Sequence, residues 1–175
     1  TVTMHNFIYR QCQSDNPTEK EEYVLYFGRY SEEKGIRTLL QVCRELPEIP
    51  FVFAGSGPLL NEVKEVSNIT EKGFVSGDAL VDLITKASFS IYASEWYENC
   101  PFSVMESQVY GTPVIGARIG GIPELVEEGV TGELFESGNW DELKEKVYLL
   151  WNDQERMDRY TENCGKVSFD STEEY

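Results

Sequence analysis

Short apolar segments alternate with segments whose apolar residues recur at helical spacing, and this alternation repeats about six times along the chain. The apolar segments lie at 23–28, 51–55, 69–75, 89–94, 113–116 and 132–135. Short apolar strands separated by helices are typical of a parallel sheet that is covered on both faces. The sequence therefore predicts an α/β fold with a Rossmann-like parallel sheet of about six strands and helices on both faces.

The helical segments show their inner faces clearly. In one of them, Ile36, Leu39, Leu40 and Cys43 recur every three or four positions. Further helices are predicted at 58–66, from Asp78 to about 87, and at 102–110, 120–128 and 141–151. Ligands of such sheets bind beyond the carboxyl ends of the strands, where the helices begin. We therefore expect the functional residues at those ends.

Length and charge limit the functions open to this chain. With 175 residues the chain is long enough for one hydrophobic core. We predict an interdomain linker and leading segment over 1–20, a Rossmann-like domain over 21–160, and the start of a truncated C-terminal helical segment over 161–175. Both ends are expected to continue into a longer protein. The net charge of −16 argues against nucleic-acid binding, because few cations are available to neutralise a phosphate backbone.

The cysteines and the hydropathy pattern indicate the compartment. Cys12, Cys43, Cys100 and Cys164 are scattered without the spacing of metal ligands, which favours reduced thiols and no metal site. No segment reaches transmembrane length and none reads as a signal peptide. We expect a cytoplasmic protein.

Two cations follow the first predicted strand. Arg29 comes directly after Gly28, and Lys34 stands in the opening turn of the next helix. Both side chains suit phosphate oxygens, Arg through a rigid fork of donors and Lys as a mobile point charge. The alternative is a surface Arg, with Lys34 paired with Glu32 or Glu33.

Glycines mark two further strand ends. Gly55-Ser56-Gly57-Pro58 lacks the third glycine of a dinucleotide fingerprint, because Leu60 stands in its place. This segment is interpreted as a tight strand-to-helix connection rather than a phosphate loop. Gly120 and Gly121, in the loop over 116–124, allow either a close backbone approach or a tight turn.

The segment EWYENCPFSVME, residues 95–106, places Glu98 and Glu106 on either side of a predicted helix start, with seven residues between them. The helix N-terminus near Phe102 and Ser103 offers unpaired amides to an anion. A carboxylate accepts hydrogen bonds only, so it suits sugar hydroxyls rather than phosphate. The arrangement favours a ligand with a central phosphate and a sugar at each end, although acidic residues near a helix start are also ordinary dipole partners.

Taken together, these segments resemble the C-terminal, donor-binding half of glycosyltransferase family 4, retaining enzymes of the two-domain GT-B fold. The similar segments follow the family's order over almost the whole chain. They are HNFI (5–8), FGRYSEEKG (27–35), AGSGPL (54–59), GFVSGDAL (73–80), SEWYENCPFSVMES (94–107), GTPVIG (111–116), GGIPELV (120–126) and GVTGELF (129–135). Glu98 and Glu106 occupy the two ends of the family's E-x7-E motif.

The resemblance implies that the Rossmann-like domain over 21–160 binds a nucleoside-diphosphate sugar, UDP- or GDP-linked, as donor substrate, and that it needs no cofactor or metal. Arg29 and Lys34 would bind the diphosphate and stabilise its growing charge, Glu98 would bind the transferred sugar, and Glu106 the ribose. The implied catalytic residues are thus Arg29, Lys34 and Glu98. The donor-binding residues are Gly28, Arg29, Lys34, Val75, Glu98, Cys100, Phe102, Ser103 and Glu106.

The resemblance also implies partners and a setting. The family's N-terminal domain, which holds the acceptor site, is absent from this chain, so we expect the chain alone to be inactive. The acceptor would be a saccharide or a lipid-linked hydroxyl, and the N-terminal domain could attach the enzyme to the inner face of the membrane. The pathway would be assembly of a surface polysaccharide, lipopolysaccharide or glycolipid.

This chain departs from the family at Cys100-Pro101, where many members have Phe-Gly. Pro has no amide hydrogen, so one phosphate donor is missing.

Two alternatives to the glycosyltransferase function remain. They are a nucleotide-sugar epimerase of the same fold and a non-catalytic nucleotide-sugar-binding domain.

Overall fold

The computed structural model describes residues 20–97 and 102–164, and these residues form one parallel sheet with helices on both faces. The predicted α/β class is confirmed. The strands are β1 Val24–Phe27, β2 Phe51–Ala54, β3 Ile69–Glu71, β4 Phe89–Tyr92, β5 Val114–Ala117 and β6 Gly132–Phe135. The helices are α1 Ile36–Glu45, α2 Leu60–Lys64, α3 Gly77–Lys86, α4 Phe102–Val109, α5 Ile122–Leu125, α6 Trp140–Trp151 and α7 Gln154–Cys164, and a 3-10 turn, Glu32–Lys34, precedes α1.

Both faces of the sheet are apolar and buried. In β1, Val24 and Tyr26 pack into the core on one face, while Leu25 and Phe27 pack into the core on the other. Successive side chains of a strand point to opposite faces, so an unbroken apolar strand fits only where helices cover both sides. This explains why the strands read as continuous apolar runs.

The strand order is β3-β2-β1-β4-β5-β6. The chain moves outward from β1 to β3 on one side and from β4 to β6 on the other. β1 pairs in parallel with both β2 and β4. The order reverses between β1 and β4, and this switch point opens a crevice beyond the carboxyl ends of the two strands.

Two elements differ from the sequence prediction. β3 ends at Glu71, four residues before the predicted end, and the chain beyond it becomes a loop. α7, which the alternation does not reveal, buries Met157, Tyr160 and Cys164. The predicted boundary at residue 160 lies inside this helix. Of the predicted segments 1–20 and 161–175, residues 1–19 and 165–175 lie outside the described residues.

No helix in the described ranges combines the length and the apolar character that crossing a bilayer requires.

Candidate active site

A cavity of about 310 Å³ opens at the carboxyl ends of β1 and β2, beside the switch point. Its walls come from five parts of the chain: the ends of the two strands, the loop after β3, α3 and α4. The lining residues are Phe27, Gly28, Arg29, Ala54, Gly55, Ser56, Phe74, Val75, Leu80, Ser103 and Glu106. We call this cavity the switch-point pocket.

The end of β1 is held firmly along its backbone. Gly28 N donates to Ala54 O at 3.0 Å and Tyr30 N donates to Ser56 O at 2.9 Å. The Tyr26 hydroxyl donates to Arg29 O at 2.7 Å. The main chain of Arg29 is therefore fixed on both sides, while its side chain is 62% exposed.

Glycine at position 55 allows the ends of β1 and β2 to lie this close. A Cβ on Gly55 would stand 1.9 Å from Gly28 O, and one on Gly57 would stand 2.5 Å from Tyr30 O. The interpretation of Gly55-Ser56-Gly57 as a tight connection agrees with this packing. Gly55 and Ser56 nevertheless line the pocket as well, which the sequence did not reveal because the strand order was not predicted.

The two cations lie on either side of the switch point. Arg29 Nε is 4.0 Å from a Glu33 carboxylate oxygen. Arg29 is therefore an exposed cation beside an acidic residue, as the alternative interpretation expected, and it lines the pocket as well. Lys34 Nζ instead donates to the Tyr92 hydroxyl at the end of β4, at 3.2 Å, and lies 5.5 Å from the centre of that ring. Lys34 is not among the residues that line the pocket.

The opening turn of α1 packs closely on the exit of β4. Gly35, at φ +71°, has no room for a side chain, because a Cβ would stand 1.8 Å from Ala93 O. Glu95 N donates to Glu33 O at 2.9 Å. These contacts place Lys34 at the same edge of the sheet as Arg29.

α4 contributes Ser103 and Glu106 to the pocket wall. Burial raises the pKa of the Glu106 carboxyl above its ordinary value, and no described residue donates a hydrogen bond to that carboxylate. A partly buried carboxylate in such a place gains from hydroxyl donors of a ligand. Phe102, at the start of α4, is 43% exposed and lies outside the pocket lining.

Part of the pocket lining is apolar. Phe74 and Val75 follow β3, and Leu80 projects from α3. Phe74 is 78% exposed although it borders the cavity. Such a surface suits the flat face of a base or another ring.

The structure therefore brings five of the predicted site residues into one pocket: Gly28, Arg29, Val75, Ser103 and Glu106. Lys34 lies apart beside Tyr92, and Phe102 lies at the start of α4. Glu98 and Cys100 lie outside the described residues. The roles assigned to all nine remain predictions.

No cluster of three or more His, Cys, Asp or Glu side chains within 20–97 and 102–164 could hold a metal ion. The expected independence from metal stays a prediction, because it concerns the reaction.

The order of these elements agrees with a known family. Residues 10–167 match the family model described as Glycosyl transferases group 1. The chain belongs to the glycosyl transferases group 1 family. Members of this family are thus the proper reference for the switch-point pocket.

Individual proteins are similar to this chain in sequence or in fold. Sulfoquinovosyl transferase SQD2 of Arabidopsis thaliana is 30% identical over 166 residues, which cover 91% of this chain and 32% of that protein. TarM has a similar fold, with a TM-score of 0.79 at 18% identity, over 92% of this chain and 34% of TarM. Anabaena HepE, solved in complex with UDP, gives a TM-score of 0.74 at 21% identity, over 94% of this chain and 49% of HepE. The chain spans less than half the length of the curated relatives it matches.

Proposed function

We propose that this glycosyl transferases group 1 domain binds the nucleoside-diphosphate sugar donor of a retaining glycosyltransferase. The observation that carries the proposal is the switch-point pocket, where Arg29 from the end of β1 and Ser103 and Glu106 from α4 line one cavity together with apolar residues. The pocket thus offers a cation, a hydroxyl and a carboxylate acceptor in one cavity. The UDP complex of HepE supports a nucleotide ligand, and UDP and GDP are the nucleotides we expect.

The ligand would lie across the pocket. The base would rest against Phe74 and Val75, and Glu106 would accept hydrogen bonds from the ribose hydroxyls. The diphosphate would lie between Arg29 and the start of α4, where the N-terminal amides near Ser103 favour an anion. Cys100 and Phe102 belong to this proposed anion site.

In the reaction, the bond between the anomeric carbon and the diphosphate oxygen breaks, and the diphosphate leaves with the electron pair. A hydroxyl of the acceptor forms the new bond to the same face of that carbon, and its proton passes to an oxygen of the departing diphosphate. Arg29 and Lys34 stabilise the charge that grows on the leaving diphosphate, as preorganised cations do. Lys34 would release the Tyr92 hydroxyl to do so, and Glu98 would hold the transferred sugar.

The whole enzyme needs more than this domain. The acceptor, a saccharide or lipid-linked hydroxyl, would bind an N-terminal domain, and the 175-residue chain alone would bind donor weakly and transfer no sugar. The proposed setting is cytoplasmic assembly of a surface polysaccharide, lipopolysaccharide or glycolipid.

Lys34→Ala tests the phosphate role. This substitution should weaken UDP or GDP binding about tenfold, the loss of one charge-assisted contact, and should leave uridine or guanosine binding within about twofold. Lys86→Ala is the matched control, because Lys86 pairs with Asp82 on α3 at 3.1 Å and should affect neither ligand. Equal loss of nucleoside and nucleotide binding in Lys34→Ala would contradict the assignment.

The longer protein that contains this domain offers a broader test. We expect UDP, GDP or ADP to raise its melting temperature. If none of the three does so at millimolar concentration, the donor-binding proposal fails.

A further inference from the structure

Glu71, the last residue of β3, joins two segments that border the switch-point pocket. Its Oε2 atom accepts a hydrogen bond from the Tyr30 hydroxyl at 2.7 Å and a second from Gly73 N at 2.7 Å. Both donors converge on one carboxylate oxygen. A single side chain thus connects the segment after β1 with the loop after β3.

Both segments lead directly into residues that line the pocket. Tyr30 directly follows Arg29, and Gly73 directly precedes Phe74 and Val75. Gly73 is held a second time, because Gly55 N donates to its carbonyl at 2.9 Å. The position of the apolar wall therefore depends on the same contacts that fix the end of β1.

The Glu71 carboxylate is half-buried on the edge strand β3, on the sheet face where Phe53 and Tyr30 pack. Glu71 is the register partner of Phe53, which is fully buried, as is Tyr30. The rings of Tyr30 and Phe53 pack with centroids 6.1 Å apart. Burial, followed by the hydrogen bond to Glu71, raises the pKa of Tyr30, which keeps the hydroxyl proton on the donor.

A carboxylate on an apolar face costs desolvation energy unless donors satisfy it. An apolar residue at position 71 would pack against Phe53 at no such cost, but it would leave Tyr30 and Gly73 N without this acceptor. The placement of Glu71 is thus better explained by the two segments it joins than by packing.

We propose that Glu71 is a positioning residue that sets the distance between Arg29 and the Phe74-Val75 wall, so that the pocket accepts base and phosphate as one connected ligand. This inference rests on the proposed donor site. Glu71 touches no ligand itself. Its contribution is preorganisation, which raises affinity for a ligand that spans both walls more than for either part alone.

The test compares a nucleotide with its separate parts. Affinities of the 175-residue chain are measured by ¹⁵N NMR titration for UDP or GDP, for the matching nucleoside, and for inorganic pyrophosphate. In Glu71→Leu we expect the nucleotide affinity to fall about tenfold, whereas nucleoside and pyrophosphate affinities change by less than about threefold. Glu71→Gln, whose amide oxygen can still accept from both donors, should stay within about threefold of the original chain for all ligands.

Tyr30→Phe provides an independent variant that removes one hydroxyl and leaves the apolar packing. It should lower nucleotide affinity by about threefold and again spare the separate parts. A parallel loss for all three ligands, or unchanged nucleotide binding in both Glu71→Leu and Tyr30→Phe, would overturn the role of Glu71 alone. Failure of the original chain to bind any of the three ligands would overturn the proposed donor site, and this inference with it.

Discussion

Replacing Gly55 by Ala should disrupt both the fold and the pocket, because the ends of β1 and β2 leave no space at this position. The new Cβ would stand 1.9 Å from Gly28 O, whereas ordinary contact begins at 3.4 Å. Relief requires a displacement of about 1.5 Å. The atom in the way belongs to the backbone, so no side-chain rotation can provide that space.

The displacement would break the contacts on either side of the clash. The hydrogen bonds from Gly28 N to Ala54 O and from Tyr30 N to Ser56 O measure 3.0 and 2.9 Å, so neither survives a separation larger by about 1 Å. Two lost bonds at about 1 kcal/mol each add to an overpacking cost of about 1–3 kcal/mol. We expect Gly55→Ala to lower the free energy of unfolding by about 3–5 kcal/mol.

Urea denaturation, followed by circular dichroism, measures this loss. The matched control is Gly129→Ala, where φ is +83° and nothing lies within 4 Å of the added Cβ. Its cost is limited to backbone strain, about 1–2 kcal/mol. If Gly55→Ala proves no more destabilising than Gly129→Ala, the strand ends are not packed as described.

Two further predictions concern Glu106 and Asn68. Burial raises the pKa of the Glu106 carboxyl, so the folded chain favours its protonated form. The protonated carboxyl therefore contributes most to stability below pH 4.5, and this contribution is lost as the pH rises through the raised pKa. Glu106→Gln should therefore raise the melting temperature at pH 7 and should remove that pH dependence in melting curves. A lower melting temperature for Glu106→Gln at pH 7 would refute the burial argument. Glu106→Ala should lower nucleotide affinity by about 1–3 kcal/mol. Asn68 Nδ2 donates to the carbonyls of Cys43, Leu46 and Ile49 at 2.9–3.0 Å, so Asn68→Asp should lower the free energy of unfolding in urea by about 2–4 kcal/mol. The control is Asn152→Asp, which should cost under about 1 kcal/mol because Asn152 Nδ2 donates to a single described carbonyl, that of Tyr148. Equal costs would contradict the role of Asn68.

The apolar strands were predictable because burial on both faces leaves a continuous apolar run. Residues 24–27 and 51–54 are fully apolar and buried on alternate sides of the sheet. β3 was predicted too long because Phe74 and Val75 are apolar for a different reason: they line the pocket. Hydropathy alone does not distinguish a strand from an apolar wall.

The site was predictable only in part. Arg29 and Glu106 could be expected at strand and helix ends, but their meeting in one pocket depends on the strand order, which sequence periodicity does not encode. The contact between Lys34 and Tyr92 crosses from the turn before α1 to the end of β4, and the link between Glu71 and Tyr30 crosses between β3 and the end of β1. The predicted C-terminal helical segment began at 161, whereas α7 begins at Gln154. The earlier start is hard to see in the sequence because α7 is mostly polar, and its buried residues Met157, Tyr160 and Cys164 are few.

The measurement that tests the donor site most directly is a ¹H–¹⁵N titration of the 175-residue chain with UDP and GDP at up to millimolar concentration. One of the two should shift the amide signals of the pocket, at Gly28, Arg29, Gly55, Val75 and Ser103, and Glu106→Ala should weaken that response. Shifts confined to the separate cavity beside Lys20, Met157 and Asp158, or no saturable shifts at all, would contradict the account.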